Sequence, residues 1–443
     1  MTLFIRLIFI SIYLFTAQSL SAQERHEYSS NQSHYNIKAS IQLDTGVIEA
    51  NVKMYLTRDE STDTLRFLIH EDLLPVTIKS PFREIDVFPM TIERPLQEMK
   101  SVESETKQSM EHIKEVIIPA EDVRGNEDGF LLDWSYQGEL KNENLTMGHA
   151  AITPKWTELP LEAMWVPSLY PFKKYTYTAE IELPRKYELV SSGDFYLDDG
   201  RWKIKSSRKA MDAVIIASDQ MKTKTTSILD DKTLNVRYID IKEATVDFII
   251  EESQRIFENY NGYLPLDYIE DEINIAISPL EDITVQNYSR NNLIAIGKDY
   301  GPGRTLFYLL SHESAHFWWI LAENPKTKDN FLNEAFAQFF ARYQIKEKYG
   351  QKVFEDYLRR ARENAEKVPP ADKLTESDIR GFSYVKGPVL LFDLQQKMSD
   401  TDFKHFVNIL LEKKVGTFDQ MLTELENISS EPTYDWFISE LYY

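Results

Sequence analysis

The pentapeptide His312-Glu313-Ser314-Ala315-His316 lies inside an apolar run that extends from Thr305 to Ile320. Residues four apart stand one turn above each other on a helix, so both imidazoles can reach a single ion. Glu313, beside the first histidine, is then placed to take a proton from water at that ion. Apolar residues on nearly all sides of the run predict a buried helix. The alternative is a pair of structural histidines with an unrelated glutamate between them.

A third metal ligand is predicted at Glu334, in the segment Phe331-Leu332-Asn333-Glu334-Ala335-Phe336. This segment is helical in pattern and mostly apolar, so its carboxylate would be buried. Burying a lone carboxylate costs free energy, which coordination to a cation offsets. Two histidines and a glutamate, with water in the fourth position, are typical of a hydrolytic zinc site. We therefore expect one Zn²⁺ per chain, held by His312, His316 and Glu334; the alternative for Glu334 is an ordinary surface ion pair.

The composition bounds what the chain can bind. It has 443 residues, no cysteine and a formal net charge of −21 at pH 7. This length is enough for two or three domains with sizeable cores. The negative charge is spread along the chain, which argues against nucleic acid and anionic lipid as partners. Without cysteine, the chain has no disulfides and no thiol chemistry.

Residues 1–22 have the pattern of a secretory signal peptide. Arg6 supplies the positive charge, Leu7 to Phe15 form the apolar stretch, and Ser19-Leu20-Ser21-Ala22 supply the small residues before a cleavage site. The apolar stretch is too short to cross a bilayer comfortably, so we expect cleavage rather than an uncleaved anchor. An exported chain without disulfides fits a bacterial periplasm or the cell exterior. After cleavage, no membrane contact is expected.

The hydrophobic pattern divides the chain in two. Apolar and polar residues alternate from Tyr35 to Leu56 around a turn at Asp44-Thr45-Gly46, which predicts an antiparallel hairpin. Further strand patterns continue to about residue 220. After Lys242 the spacing becomes helical, interrupted by two short strands at 273–277 and 293–297. We expect an α+β protein with an antiparallel β domain over residues 23–225 and a mainly helical domain with a small sheet over residues 226–443.

These motifs resemble those of the gluzincin metallopeptidases and, more narrowly, of the aminopeptidase N and leukotriene hydrolase family. That family carries HExxH followed by a glutamate in a WLNEG-like segment, which Leu332-Asn333-Glu334 matches. Tyr384-Val385-Lys386-Gly387 is similar to its YxKG segment, whose tyrosine helps to hold the transition-state oxyanion. The resemblance implies a saddle-like N-terminal β domain, a thermolysin-like zinc peptidase domain and a peptide substrate. It also implies catalytic roles for Glu313 and Tyr384.

Two departures from the family concern the architecture. The gap between His316 and Glu334 is one residue shorter than usual, which the loop between the two helices can absorb. The stretch after Tyr384 is short, so we expect a short form without the family's later C-terminal domains.

A third departure concerns the substrate's N-terminus. The family's Gly-x-Met-Glu-Asn strand, whose glutamate binds the free α-amine, corresponds here to Thr284 through Arg290. Gln286 in that place would replace the carboxylate by a neutral amide, and Arg290 would repel a cationic terminus if it points into the cleft. We expect Gln286 and Arg290 to line the end of the cleft that holds the substrate terminus. The alternative for Arg290 is a pair with a structural acid.

Together these features predict an exported zinc peptidase that is aminopeptidase-like, with altered recognition of the substrate's N-terminus. Within the peptidases, a true aminopeptidase and a hydrolase of larger or N-terminally blocked peptides stay open. A different class also stays open, namely a catalytically weak or inactive exported zinc-binding scaffold of the same fold. The presence of the three ligands and of Glu313 argues against the scaffold.

Overall fold

The computed structural model describes residues 32–57, 63–80, 84–85, 112–120, 129–145, 150–229, 231–280 and 287–442. The expected signal peptide at residues 1–22 and the expected site residue Gln286 lie outside these ranges. Within them, a β region precedes a mainly helical region with a small sheet, which confirms the predicted α+β class. No helix in these ranges combines the length and the apolar character needed to cross a membrane.

The described part of the β region forms three sheets. Its strands in the described residues are β1 (His34–Gln42), β2 (Val47–Thr57), β3 (Thr64–His70), β4 (Val76–Lys79), β5 (Glu84–Ile85), β6 (Ile113–Pro119), β7 (Gly129–Glu139), β8 (Thr157–Leu159), β9 (Ser168–Leu169), β10 (Thr176–Glu182), β11 (Glu188–Val190), β12 (Asp194–Asp198), β13 (Arg201–Lys205) and β14 (Ile215–Ser218). The largest sheet has the order β12-β13-β10-β1-β2-β7-β4-β5 and is antiparallel except where β1 meets β10. The other two have the orders β6-β3-β9 and β11-β14-β8.

The predicted hairpin is formed by β1 and β2. Ile37 pairs with Val52 and Ile41 with Ile48, and all four side chains are buried on one face of the sheet. The turn requires glycine at position 46, where φ is +71°. A Cβ atom there would also lie 2.4 Å from the backbone oxygen of Leu140, which directly follows β7. The alternation of apolar residues in this part of the sequence thus identifies the side chains that are buried in the hairpin.

The second region has its own five-stranded sheet. Its strands are β15 (Lys222–Ile228), β16 (Lys232–Tyr238), β17 (Glu272–Ser278), β18 (Tyr288–Arg290) and β19 (Leu293–Gly297), in the order β15-β16-β17-β19-β18. β17 and β19 lie where short strands were predicted. The hairpin of β15 and β16 was not predicted, because β15 is mostly polar and exposed and has no apolar alternation. Residue 225, the expected end of the first domain, lies inside β15, which pairs with β16; the domain boundary itself stays a prediction.

Helices cover this sheet and make up the rest of the second region. The longer ones are α1 (Glu243–Asn261), α2 (Arg304–Ala315), α3 (Phe336–Tyr349), α4 (Gln351–Ala365), α5 (Gly387–Lys397), α6 (Asp400–Glu412), α7 (Phe418–Ile428) and α8 (Glu431–Tyr442). π-helical turns at Phe331–Ala335 and Phe382–Lys386 lead directly into α3 and α5. α1 is tied to α2 by the Tyr260 hydroxyl, which donates to the Ser311 carbonyl oxygen at 2.8 Å.

Two cations of the β region bind the chain just beyond α2. Arg208 donates to the carbonyl oxygen of Phe317 at 3.2 Å, and Lys174 donates to that of Ile320. The C-terminal end of a helix carries partial negative charge, so cations are favourable there. The β region therefore fixes the segment that directly follows His316.

Candidate zinc centre and active site

The three predicted ligands come from two adjacent helical segments. His312 lies in the last turn of α2, and His316 directly follows that helix. Glu334 lies in the π-helical turn before α3, where the neighbouring Asn333 side chain accepts a hydrogen bond from the Ala322 amide at 2.9 Å. The exposed fractions of the His312, His316 and Glu334 side chains are only 8%, 10% and 15%. Packing of α2 against α3 brings the two segments together.

The spacing of the ligand atoms fits a zinc ion. Nε2 of His312 is 3.4 Å and Nε2 of His316 is 3.6 Å from Oε2 of Glu334. Ligands bound tetrahedrally at ~2.1 Å are about 3.4 Å apart, so these distances suit a shared ion. Oε2 of Glu334 is also buried, and its contacts of 3.4 and 3.6 Å with the two imidazoles are longer than a good hydrogen bond, so a bound cation would satisfy it better. The donor set, two imidazoles and one carboxylate, is the one that zinc hydrolases use.

Electrostatics hold the ligands as an ion pair. Burial disfavours the charged forms of Glu334 and His316, but their mutual attraction is stronger. It keeps the pKa of Glu334 well below its usual range and raises the pKa of His316 to about 9. The Nδ1 atom of His316 lies 3.0 Å from the Trp319 carbonyl oxygen, to which its N–H donates. This contact orients the ring so that Nε2 faces Glu334, where a cation would replace the Nε2 proton of the ion pair.

The Glu313 carboxylate is oriented by Ser289 of β18, a residue that the sequence did not single out. Oγ of Ser289 is 2.9 Å from Oε2 of Glu313 and 2.7 Å from its backbone oxygen. Both residues are buried, and the single hydroxyl proton can be donated to one of these acceptors at a time. The contact joins a sheet edge to a helix across 24 residues, so no local spacing reveals it.

Tyr384 lies beside the ligands in the second π-helical turn. Its ring centre is 6.2 Å from that of His312. Burial and, to a lesser extent, the Glu334 carboxylate raise the pKa of the Tyr384 hydroxyl well above its usual value. The hydroxyl therefore stays protonated and can donate a hydrogen bond. The structure thus brings Tyr384 together with the three predicted ligands.

Arg290 occupies a buried ion pair with Asp212 of the β region. Its Nε and Nη2 atoms lie 2.6 and 2.8 Å from the two carboxylate oxygens. Asp212 also accepts a hydrogen bond from the Leu161 amide at 2.7 Å. This pairing is the alternative that the sequence left open, and it anchors β18, the strand of Ser289, to the β region. Roles for Arg290 and for Gln286 at the substrate terminus stay predictions.

Solved structures share this architecture. The M1 zinc metallopeptidase from Deinococcus radiodurans has a TM-score of 0.65 and 13% identity, over 93% of this chain and 94% of that one. A mutant of the Deinococcus enzyme bound to a Tyr-Ser-Ala substrate has a TM-score of 0.64 and 14% identity, with the same coverage. Native yeast LTA4 hydrolase has a TM-score of 0.62 and 16% identity, over 92% of this chain and 66% of that one. No protein-family model and no curated protein matches the sequence.

At identities this low, the likeness is one of fold. It extends over both the β region and the helical region, since more than nine-tenths of the chain is covered in each case. The chain therefore has the fold of the M1 zinc metallopeptidases and LTA4 hydrolase, which confirms the resemblance drawn from its motifs.

Proposed function

We propose that the chain is an exported zinc-dependent peptidase, aminopeptidase-like but with altered recognition of the substrate's N-terminus. The observation that carries the proposal is the buried group of His312, His316 and Glu334, with the carboxylate of Glu313 on the same helix as His312. Peptides as the substrate class are supported by the Deinococcus enzyme, which binds a Tyr-Ser-Ala substrate. Export rests on the signal-peptide pattern of residues 1–22.

Each residue of the site has a separate task. A zinc ion held by His312, His316 and Glu334 would supply Lewis acidity, which lowers the pKa of water and polarises a carbonyl group. Glu313 takes the proton of the attacking water and later passes it to the leaving amine. The Tyr384 hydroxyl donates a hydrogen bond to the negative charge that develops on the oxygen of the scissile carbonyl.

Altered recognition of the substrate amine is supported by the composition of β18. Its residues Tyr288, Ser289 and Arg290 include no carboxylate. Ser289 contacts Glu313, and the charge of Arg290 is matched by Asp212. The side chains of β18 itself offer an ammonium group only neutral acceptors, and bonds to neutral partners are roughly half as strong as charge-assisted ones. The neighbouring carboxylates of Glu158 and Glu313 already accept hydrogen bonds from Tyr288 and Ser289. We therefore expect a free N-terminal amine to be dispensable.

The proposal is tested on the mature chain, with zinc content and peptide turnover measured together. The wild type should hold one zinc per chain and cleave a peptide and its N-acetylated form at similar rates. Glu313→Gln should keep the zinc and lose turnover by about a hundredfold or more, because the amide cannot take a proton.

Each contrary result has a distinct meaning. Unchanged turnover in Glu313→Gln would remove this residue from the role of base. A strong preference for the free amine would identify a true aminopeptidase. Bound zinc without turnover of any peptide would favour the scaffold.

A further inference from the structure

The guanidinium group of Arg342 lies near the candidate zinc ligands. Arg342 of α3 lies between two aromatic rings, with its Cζ atom 3.9 Å from the ring centre of Tyr308 and 4.0 Å from that of Tyr357. Among the residues that the structure describes, no carboxylate forms an ion pair with it, and its Nε atom is buried without an acceptor. This arrangement differs from that of three other shielded arginines, whereas Arg237 also forms no ion pair with a carboxylate among the described residues but donates from Nε to Asn274.

Arg66, Arg208 and Arg290 are also shielded from solvent, and each of them pairs with a carboxylate. A buried cation is costly unless an anion or an aromatic face offsets the lost hydration. The two tyrosine rings provide aromatic faces for Arg342, and the Tyr357 hydroxyl also accepts a hydrogen bond from it. Its N–H groups point outward from the edges of the plane, where an anion can accept them.

Arg342 is linked to the candidate zinc ligands through Tyr308. Tyr308 lies one turn before His312 on α2, and their rings are 6.1 Å apart at an angle of 30°. The Tyr308 hydroxyl donates to the Gln338 side chain at 2.5 Å, and Gln338 lies one turn beyond Glu334. The step of 6.1 Å from His312 to Tyr308 and the step of 3.9 Å from Tyr308 to Arg342 place the guanidinium within about 10 Å of the His312 ring.

This distance suits the end of a short peptide. An extended chain advances about 3.3–3.6 Å per residue, so a span of up to 10 Å corresponds to at most about three residues, counting the one at the scissile bond. A guanidinium can bind a carboxylate through two parallel N–H···O bonds. We propose that Arg342 binds the C-terminal carboxylate of a peptide substrate that ends one or two residues beyond the scissile bond. This inference rests on the proposed peptidase function and gives it a substrate class.

The test compares trialanine with trialanine amide on the zinc-loaded mature chain. Wild-type kcat/KM should favour the free acid by about ten- to a hundredfold, which is the effect of one bond between charged groups. Arg342→Gln should bring the ratio of acid to amide close to one, and Arg342→Lys should restore part of it. Arg360→Gln, which changes an exposed arginine of α4, should keep the wild-type ratio and serves as the matched control.

Three results would overturn the proposal. The first is equal wild-type kcat/KM on the acid and the amide, and the second is an unchanged acid-to-amide ratio in Arg342→Gln. The third is loss of that ratio in Arg380→Gln instead, because Arg380 lies over the Tyr384 ring at 5.7 Å. If the wild type cleaves no peptide, the peptidase proposal fails on its own. Titration calorimetry of both tripeptides then decides the role of Arg342: a preference for the acid that Arg342→Gln removes supports it, and equal affinities overturn it.

Discussion

Glu313 is held in place by a hydroxyl group from a distant part of the chain. Ser289 supplies that hydroxyl, and the next residue of the strand, Arg290, is anchored by Asp212 of the β region. A carboxylate that must both take and deliver a proton has to keep a fixed orientation, since proton transfer requires hydrogen-bond geometry. In the proposed mechanism, Ser289 would therefore be a positioning residue that acts on the reaction through Glu313.

Ser289→Ala removes this contact and leaves the candidate metal ligands unchanged. We expect kcat to fall about tenfold, as befits one hydrogen bond to a charged group, while KM stays within about twofold of the wild type. Ser289→Thr keeps a hydroxyl group and should restore most of the loss. The measurement is steady-state kinetics together with zinc content.

Ser311→Ala is the matched control for that variant. Ser311 is buried on the same helix as Glu313, but its hydroxyl bonds to the Phe307 carbonyl oxygen rather than to a site residue. Its substitution should leave kcat unchanged. A normal kcat in Ser289→Ala, or a loss of zinc from that variant, would refute the positioning role.

At the level of secondary structure, the site depends on contact between two π-helical turns. Glu334 lies in the first and Tyr384 in the second, and the residue after the second turn is Gly387. A Cβ atom on Gly387 would lie 2.5 Å from Cβ of Ala335 and 2.9 Å from the Phe331 ring. Such distances are shorter than van der Waals contact, so any larger side chain forces the two turns apart. Extra turns of π-helix are frequent at functional sites.

Gly387→Ala should therefore destabilise the protein by about 1–3 kcal/mol and lower kcat, because overpacking displaces Tyr384 from Glu334. The backbone of Gly387 is already helical, with φ of −55°, so the effect is steric rather than conformational. The measurement is urea unfolding combined with kinetics.

A double variant separates sterics from other effects of Gly387→Ala. Adding Ala335→Gly removes the atom in closest contact and should recover part of both losses. Gly301→Ala is the control, since a Cβ atom there would have no neighbour within 4 Å. Equal damage in the single and the double variant would contradict the steric explanation.

For the molecule as a whole, local patterns were predictable from the sequence and long-range contacts were not. His312 and His316 are revealed by helical spacing, and the burial of Glu334 by the apolar residues around it. The pairing of Asp212 with Arg290 spans 78 residues and depends on how two sheets dock. No periodicity in either segment encodes that contact. The same holds for the aromatic stacking of Arg342 on Tyr357, which depends on how α4 packs against α3.

Stability in acid depends on His34, where β1 pairs with β10. Its Nδ1 atom is 2.9 Å from the Thr176 hydroxyl, and burial followed by the charge of Lys205 lowers the pKa of His34 to about 4. Because this folded value lies below the unfolded value of about 6.5, the unfolded chain binds a proton first as pH falls. The contribution of neutral His34 is complete above pH 6.5 and is lost progressively towards pH 4.

His34→Gln should consequently flatten the pH dependence of the free energy of unfolding. Between pH 7 and pH 5 the wild type should lose roughly 1–2 kcal/mol more than the variant, allowing for partial screening by solvent. Urea titrations at both pH values measure the difference. His405→Gln, at an exposed position of α6, should behave like the wild type. Parallel curves for the wild type and His34→Gln would rule out this account.

The placement of the candidate ligands on either side of a loop links ion occupancy to folding. His316 ends one helical segment, Glu334 begins the next, and the chain between them is polar where it turns back at Lys326 to Asn330. An ion coordinated by ligands on both sides of this loop acts as a removable cross-link that closes it. Resistance to unfolding would then rise with the logarithm of free zinc concentration, since only the native chain brings the donors together. In a zinc-poor compartment, the same chain would lack the proposed peptidase activity and would be degraded more easily.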